Sequence, residues 1–311
     1  MICPVYNEEQ HIEKVLQFVT SSTPLEKEII FIDGDSGDQT ASILKKWQKT
    51  NPEIKILNNS RRTVPYALNL AIPICTGDYI VRLDAHSDYA PDYFEKIIDT
   101  FEKSGADIVG GPMRTTFVTP FQEAVAYIFN TPLGMGDSSF HNPDYEGYTD
   151  SVTFGSWKKE IFQTTGLFDT HQKRNQDDEF HYRAKSLGFK IYQSPDIKLF
   201  YYPRDSIIGL FKQYYEYGLY KPMVLKKIKS GIRPRHLIPG LFVIYLIMCL
   251  LVDGWVIRIP LFSYLSLCIY YTIKSAKRPV VMLMICISYM TVHIAYGLGF
   301  IVGLSKLINT R

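Results

Sequence analysis

The chain has 311 residues, 46% of them hydrophobic and 14% aromatic, with a formal net charge of +3. It exceeds one average domain and falls short of three. A charge so near neutral leaves no global basic field, so nucleic acid is excluded as an expected partner. The first two thirds mix charged and apolar residues, whereas the last quarter is dominated by apolar and aromatic ones. The cysteines Cys3, Cys75, Cys249, Cys268 and Cys286 form no C-x-x-C pair, which speaks against a zinc ribbon or redox motif. They fit a reducing compartment for the non-membrane part. Met1-Ile2-Cys3-Pro4 runs straight into a charged segment, so no cleavable signal peptide is expected. The abrupt start predicts a natural chain that begins a few residues earlier.

The first expected helix carries Ile12, Val15, Leu16 and Val19 on one face, capped by Asn7 with Gln10 completing a capping box. "EIIFID" (28–33) is a short apolar strand ending in a carboxylate, and a helix follows with Ile43, Leu44 and Trp47 on one side. "IKIL" (54–57) is a third strand. Thr63 and Pro65 start another helix that Gly77 closes. "YIVRLDAH" (79–86) is a fourth strand, again acidic at its end. Pro91 opens a helix to about Lys103, and "DIVGGP" (107–112) is a fifth strand. This alternation predicts an α/β fold, a mostly parallel sheet covered by helices on both faces. The Gly-, Pro-, Asp- and Tyr-rich stretch 113–150 reads as an active-site loop with one helix over Phe121–Asn130. "SVTFG" (151–155) is a strand. Asp177–Leu187 is a helix that buries Phe180, Ala184 and Leu187 and ends at Gly188, and "KIYQS" (190–194) completes the sheet.

After Pro203 aromatics mix with Lys and Arg, a pattern that suits helices lying in a membrane interface; ordinary surface helices are the alternative. Apolar runs follow over Leu237–Val252, Ile259–Ile273 and Val280–Leu304. A span needs about 20 residues and tolerates roughly 17. The third run is long enough. The first two are short and separated by Asp253 and Arg258, as in a tight helical hairpin. The expected division is a catalytic domain at 1–203, an interfacial basic segment at 204–236, and a transmembrane region of about three spans at 237–311. Lys226, Lys227, Lys229, Arg233 and Arg235 precede the first run, and Lys274, Lys277 and Arg278 follow the second. The positive-inside rule then puts residues 1–235 in the cytoplasm, and an odd number of spans puts the C-terminus outside. His293 reads as a packed polar residue between helices.

In an open parallel α/β sheet, ligands bind beyond the carboxyl ends of the strands. "PVYNEE" (4–9), "DGDSGDQT" (33–40) and "LDAHSD" (83–88) fall there. Converging carboxylates repel one another unless a cation or polar ligand joins them. Helix capping explains Asp38 and Ser36 singly, but not the acidic loops together. Asp84 and His86 are one residue apart, which puts both on one face of an extended segment. Carboxylate plus imidazole suits Mn²⁺, and Mg²⁺ less well. "NQDDEFHYR" (175–183) opens a helix with Asp177, Asp178 and Glu179. The helix dipole favours acids there, yet three exceed what capping needs, and one could serve as a general base.

"PVYNEE", "DGDS", Asn69, "GDYIVRLDAH" and the acidic helix opening occur in an order that resembles the family 2 glycosyltransferases, with their GT-A nucleotide-sugar fold, over about the first 200 residues. "VRLDAH", "FGSWKKEIF", "RNQDDEFHYR" and "PRDSIIGLFKQYYEYG" are most similar to the succinoglycan glucosyltransferase subgroup of bacterial exopolysaccharide synthesis. The resemblance implies that Pro4, Tyr6 and Glu8 border the base and ribose. It implies that Asp33 hydrogen-bonds the uracil ring, and that Asp35, Arg62 and Asn69 lie beside the nucleotide. Asp84 matches the first acid of a D-x-D motif and His86 replaces the second, a pair to hold Mn²⁺ or Mg²⁺. The family's E-D motif falls on Gln176 and Asp177. Asp177 inherits the general-base role, but Gln176 departs from the usual Glu and leaves Asp178 as the alternative base. "QYYEY" (213–217) is similar to the Q-x-x-R-W motif of processive synthases, yet Glu216 and Tyr217 replace Arg and Trp, which weakens a processive reading.

The resemblance thus implies an inverting, metal-dependent hexosyltransferase, multi-pass in the cytoplasmic membrane, acting in extracellular polysaccharide synthesis. It would use a UDP-sugar donor. The basic, aromatic segment 206–236 would hold the site near lipid headgroups, so a polyprenyl-diphosphate-linked saccharide is the expected acceptor. Membrane lipids and other polysaccharide-assembly proteins are the further expected partners. Two alternatives are a polyprenyl-phosphate glycosyltransferase and a catalytically inactive, sugar- or nucleotide-binding membrane subunit. Asp33, Asp84, His86 and Asp177 together argue against the inactive subunit.

Overall fold

The computed structural model describes residues 1–136, 142–227, 234–275 and 277–309. The chain opens with β1 (Ile2–Val5), α1 (Ile12–Ser21), β2 (Ile29–Asp33), α2 (Thr40–Thr50), β3 (Ile54–Asn58) and α3 (Val64–Ala71). Next come β4 (Tyr79–Val81), β5 (Ser87–Tyr89), α4 (Tyr93–Ser104), β6 (Ile108–Gly111) and β7 (Met113–Thr115). The helices α5 (Pro120–Phe129) and α6 (Pro132–Met135) precede β8 (Gly147–Tyr148), β9 (Thr153–Lys158), α7 (Ile161–Thr165), α8 (Gln176–Ser186), β10 (Ile191–Gln193) and β11 (Leu199–Tyr201). The closing helices are α9 (Ile207–Lys227), α10 (Pro234–Leu251), α11 (Trp255–Lys274) and α12 (Pro279–Asn309). They fall into two units. One is Met1–Arg114 with Asn142–Tyr201, and the other is Thr115–His141 with Tyr202–Arg311. The first unit takes up most of residues 1–203, and Thr115–His141 falls in the second.

In the first unit β1, β2 and β3 pair in parallel. Ile2 bridges Arg82 in parallel, which joins β4 to β1. The strand β9 inserts antiparallel between β4 and β6, and β10 pairs with β6 in parallel. The expected α/β sheet is present, with one reversed strand near its centre. "IIFI" in β2 is buried throughout, as a strand covered on both faces must be. Alternate residues feed two cores. Cys3, Phe31, Val81 and Leu83 face α1 and α4, while Ile2, Ile30, Ile32 and Ile80 pack with Phe180 and Ala184 of α8.

Three local expectations fail here. The N-cap of α1 is His11, with no side-chain cap bond, so the capping box of Asn7 and Gln10 does not form. Asn7 instead takes a left-handed φ of 55°, and its side-chain oxygen accepts from Gly37 N at 2.9 Å. The fourth strand stops at Val81 rather than His86. Leu187 is 50% exposed, because α8 has already ended at Ser186.

In the second unit, the stretch expected to be an active-site loop supplies α5 and α6. Thr119 and Gln122 form a reciprocal capping box that starts α5. Tyr127 Oη donates to the Tyr271 carbonyl at 2.7 Å, and Thr131 and Tyr289 share a hydroxyl hydrogen bond of 2.8 Å. His293 donates from Nε2 to the Leu133 carbonyl at 2.9 Å and accepts from Tyr264 at Nδ1, also 2.9 Å. It is the packed polar residue expected. A Cβ at Gly218 would lie 2.1 Å from the Tyr296 carbonyl, and one at Gly299 2.1 Å from that of Tyr215. Small residues thus let α9 and α12 touch backbone to backbone. Among the described residues, Trp255–Lys274 and Pro279–Ile308 are long and apolar enough to cross a membrane, and His236–Leu251 is shorter. Lys229, Arg233 and the side chain of Arg235, used in the charge argument, lie outside the described residues.

Candidate active site

The loops after β1 and β2 are tied together by backbone donors and short polar side chains. Asp33, at the end of β2, accepts from Ser36 Oγ at 2.6 Å, and Ser36 Oγ accepts from Asn7 N at 3.0 Å. Glu8 N donates to Thr40 Oγ1 at 2.7 Å, and Glu9 N to Asp38 at 3.1 Å. Pro4 is half-buried in β1, and Tyr6 beyond it is 46% exposed. The Arg62 guanidinium lies 5.8 Å over the Tyr6 ring and pairs with Asp35. Arg62 thus covers one face of an exposed aromatic ring, and Asp35 holds the guanidinium there. Among the described residues, five non-glycine residues have left-handed backbone: Asn7, Asp35, Arg62, Phe154 and Asn175. They follow β1, β2 and β3, interrupt β9, and precede α8. Strain of this kind costs about 1–3 kcal/mol per residue and clusters where a site needs a special geometry.

At the sheet centre Arg82 and Asp84 alternate with Val81, Leu83 and Ala85, which face the opposite core. Both therefore point toward the start of α8. Arg82 is 4% exposed. Its Nη1 donates to both oxygens of Asp177 at 2.7 Å, and Nη2 donates to Asp84 at 3.2 Å. Taking a guanidinium out of water costs several kcal/mol. Burial opposes its charge, but Asp177 and then Asp84 outweigh that, so Arg82 is held charged above its ordinary range. The Phe154 ring lies 5.4 Å from the guanidinium. Phe154 has φ 43°, and the β6–β9 register shifts between Val109 and Gly111.

His86 departs from the expected geometry. The chain turns at Ala85–His86, so the two-residue alternation of a strand no longer applies. His86 Nδ1 lies 3.1 Å from Glu8 Oε1, and its ring meets Tyr201 edge-on at 6.3 Å. Glu8 thus faces His86, an arrangement the sequence did not reveal. Asp178 sits on another side of α8, accepting from Ser151 Oγ at 3.4 Å. Ser151 also bonds Nδ1 of the buried His181 at 2.9 Å, and burial lowers the pKa of that imidazole. Asp177, not Asp178, shares the guanidinium with Asp84.

Asn69 has partners other than a nucleotide loop. Its Nδ2 donates to the Phe168 carbonyl at 2.8 Å and its Oδ1 accepts from Phe168 N at 2.9 Å. Both ends of the amide clamp a backbone segment. Sequence reasoning missed Arg82, Phe154 and Ser151. For Arg82 a signal existed: a charged residue inside an apolar strand is almost never buried unless paired. Phe154 and Ser151 carried none.

Comparison with known proteins bears on the family and the fold. Residues 1–192 match the model of glycosyl transferase family 2. The chain is 28% identical to the succinoglycan biosynthesis protein ExoA of Rhizobium meliloti (strain 1021), over 96% of this chain and 93% of that protein. It is 30% identical to the dolichyl N-acetyl-alpha-D-glucosaminyl phosphate 3-beta-D-2,3-diacetamido-2,3-dideoxy-beta-D-glucuronosyltransferase of Methanococcus voltae, over 98% and 97%. The mannosyltransferase PcManGT of Pyrobaculum calidifontis, solved with GDP-Man and Mn²⁺, superposes with a TM-score of 0.63 at 17% identity, covering 95% of this chain and 85% of that one. The S. aureus TarS fragment solved with UDP-GlcNAc gives 0.52 at 14% identity, covering 99% and 91%. At such identities these structures share the fold. With a family match over more than half its length, the strand-end acidic loops and the GT-A-like sheet, the chain belongs to glycosyl transferase family 2.

Proposed function

We propose that this protein moves a sugar from a UDP-sugar to a lipid-linked saccharide, with inversion at the anomeric carbon. One observation carries the reading. Asp84 from a strand end and Asp177 from a helix start converge on one buried guanidinium. They are thereby joined as a leaving-group side and an acceptor side of a single centre. Tyr6, Arg62, Asp35 and Asp33 border the nucleotide. Asp177 accepts the proton of the acceptor hydroxyl while that oxygen bonds the anomeric carbon. The bond from that carbon to the diphosphate oxygen breaks, and UDP departs.

Asp84 and His86 fit a divalent cation by donor chemistry, a carboxylate and an imidazole within one turn. Among the described residues no group of three His, Cys, Asp or Glu side chains is placed to hold a metal; Asp84 and His86 are the two that would hold a cation. A cation bound there would supply charge neutralisation at the leaving diphosphate.

The relatives support a lipid-linked acceptor, since one of them is named for acting on a dolichyl-linked sugar phosphate. The apolar helices α11 and α12 support membrane attachment. Glu123 pairs with Lys277 at 3.1 Å and Arg278 at 3.2 Å. Lys277 and Arg278 thus lie beside a residue that precedes every apolar run, which supports one membrane side for all three, and the positive-inside rule makes that side cytoplasmic. The test is a donor screen with purified protein in detergent, reading UDP release with and without Mn²⁺. Polyprenyl-diphosphate saccharide and polyprenyl phosphate serve as separate acceptors. UDP release with neither acceptor, or transfer to the bare monophosphate alone, overturns the proposal.

A further inference from the structure

Resting on the transferase reading above, we propose that Arg82, braced by Phe154, is a positioning residue for sugar transfer: it fixes the attitude of the Asp177 carboxylate and sets its distance from Asp84. The geometry is over-determined. One nitrogen of the guanidinium holds both oxygens of Asp177, and the other holds Asp84. The Asp177 carboxylate cannot turn about its own axis without losing those bonds. The partners are 95 residues apart in the chain, so this contact couples the strand end to the start of α8 across a long stretch of sequence.

Two further observations distinguish the arrangement from an ordinary ion pair. Arg82 Nε is buried without a hydrogen-bond partner, so the guanidinium is not placed to satisfy all its own donors. Phe154, which lies over it, holds a left-handed backbone that a bulky residue rarely adopts. Both features cost stability, and the second sets an aromatic ring against the guanidinium. Lysine would supply the charge but not the planar fork that fits both carboxylates.

The experiment compares wild type, Arg82→Ala, Arg82→Lys and Phe154→Leu as full-length protein in detergent. It measures kcat for transfer and, separately, UDP affinity by calorimetry. Misplacing a reacting group by about 1 Å costs on the order of 100-fold. Arg82→Ala is therefore expected to lose about 100-fold in kcat with UDP affinity within a few fold, and Arg82→Lys to recover only part of it. Added guanidinium should restore about tenfold of the Arg82→Ala rate, since it refills the vacated site, and nothing in Asp177→Asn. Unchanged kcat in both Arg82 variants, UDP affinity that falls in step with kcat, or a rate that guanidinium leaves unmoved overturns the proposal. Should Arg82→Ala fail to fold, Phe154→Leu decides: kcat is expected to fall about tenfold with Arg82 still present, and an unaltered kcat overturns it. A wild-type protein inactive with every donor would instead defeat the transferase reading itself.

Discussion

Asn69 separates a nucleotide contact from a structural clamp. Replacing it by alanine removes the donor to the Phe168 carbonyl and the acceptor for Phe168 N, bonds of 2.8 and 2.9 Å. Phe168 is buried, with its ring stacked 4.5 Å from Phe180 and edge-on to Trp157 at 5.6 Å, so its backbone cannot swing out to water freely. An unsatisfied buried backbone group costs about 1–3 kcal/mol. Asn69 itself is half-buried, which lets water reach one side, so the pair is worth about 2 kcal/mol, the low end for two groups. For a unit of this size that lowers the melting temperature by roughly 4–8 °C. Tryptophan fluorescence during heating reads the loss, because Trp157 lies in the same aromatic cluster. Calorimetry with UDP on the same sample should show affinity within about twofold of wild type, equivalent to less than 0.5 kcal/mol. An Asn69→Ala protein that melts normally but binds UDP tenfold more weakly would refute this reasoning and return Asn69 to the nucleotide site.

Asp177→Asn should lower transfer by about 100-fold or more with UDP affinity nearly unchanged, measured by turnover and calorimetry; near-normal turnover would move the role to Asp178. His86→Ala should weaken Mn²⁺ binding, read by electron paramagnetic resonance of the ion, and full wild-type activity in EDTA would sink the metal assignment. Residues 1–203 expressed alone should bind UDP yet stay with detergent micelles, because α5 would expose Phe121, Val125, Ile128 and Phe129, which are buried in the full chain; a detergent-free monomer on gel filtration would contradict that. For Glu28, burial alone would push the pKa up, but the Thr76 N–H and Lys55 outweigh it and hold it at about 2, below its ordinary 4.5. A folded pKa below the unfolded one contributes stability that is full above about pH 4.5 and lost as pH falls toward 2. Glu28→Gln should therefore flatten the acid loss of stability between those values, and an unchanged pH–stability curve would count against the pairing.

How far the sequence could be read depended on the range of the interaction. The strands "EIIFID" and "IKIL", the helices with Val15 and Leu16 or Phe180 and Ala184 on one face, and the acidic strand ends were legible because burial repeats every two or 3.6 residues. The same rule misplaced His86, since alternation holds only while the chain is extended, and it turns at Ala85. The capping reading of Asn7 failed for a related reason. Hydrogen bonds from the loop after β2 draw Asn7 into a left-handed turn, and those partners are some 30 residues away.

Local pattern thus determined the α/β class, the strand-end carboxylates, the acidic start of α8 and the apolar C-terminal helices. Tertiary structure alone decided that Arg82 unites Asp84 with Asp177, that a left-handed Phe154 covers it, that Glu8 faces His86, and that α5 and α6 pack with the closing helices. Periodicity records which side of an element is buried, because every residue on that side contributes to it. It does not record which distant side chain a lone buried charge meets, because that pairing is settled by contacts between segments 95 residues apart.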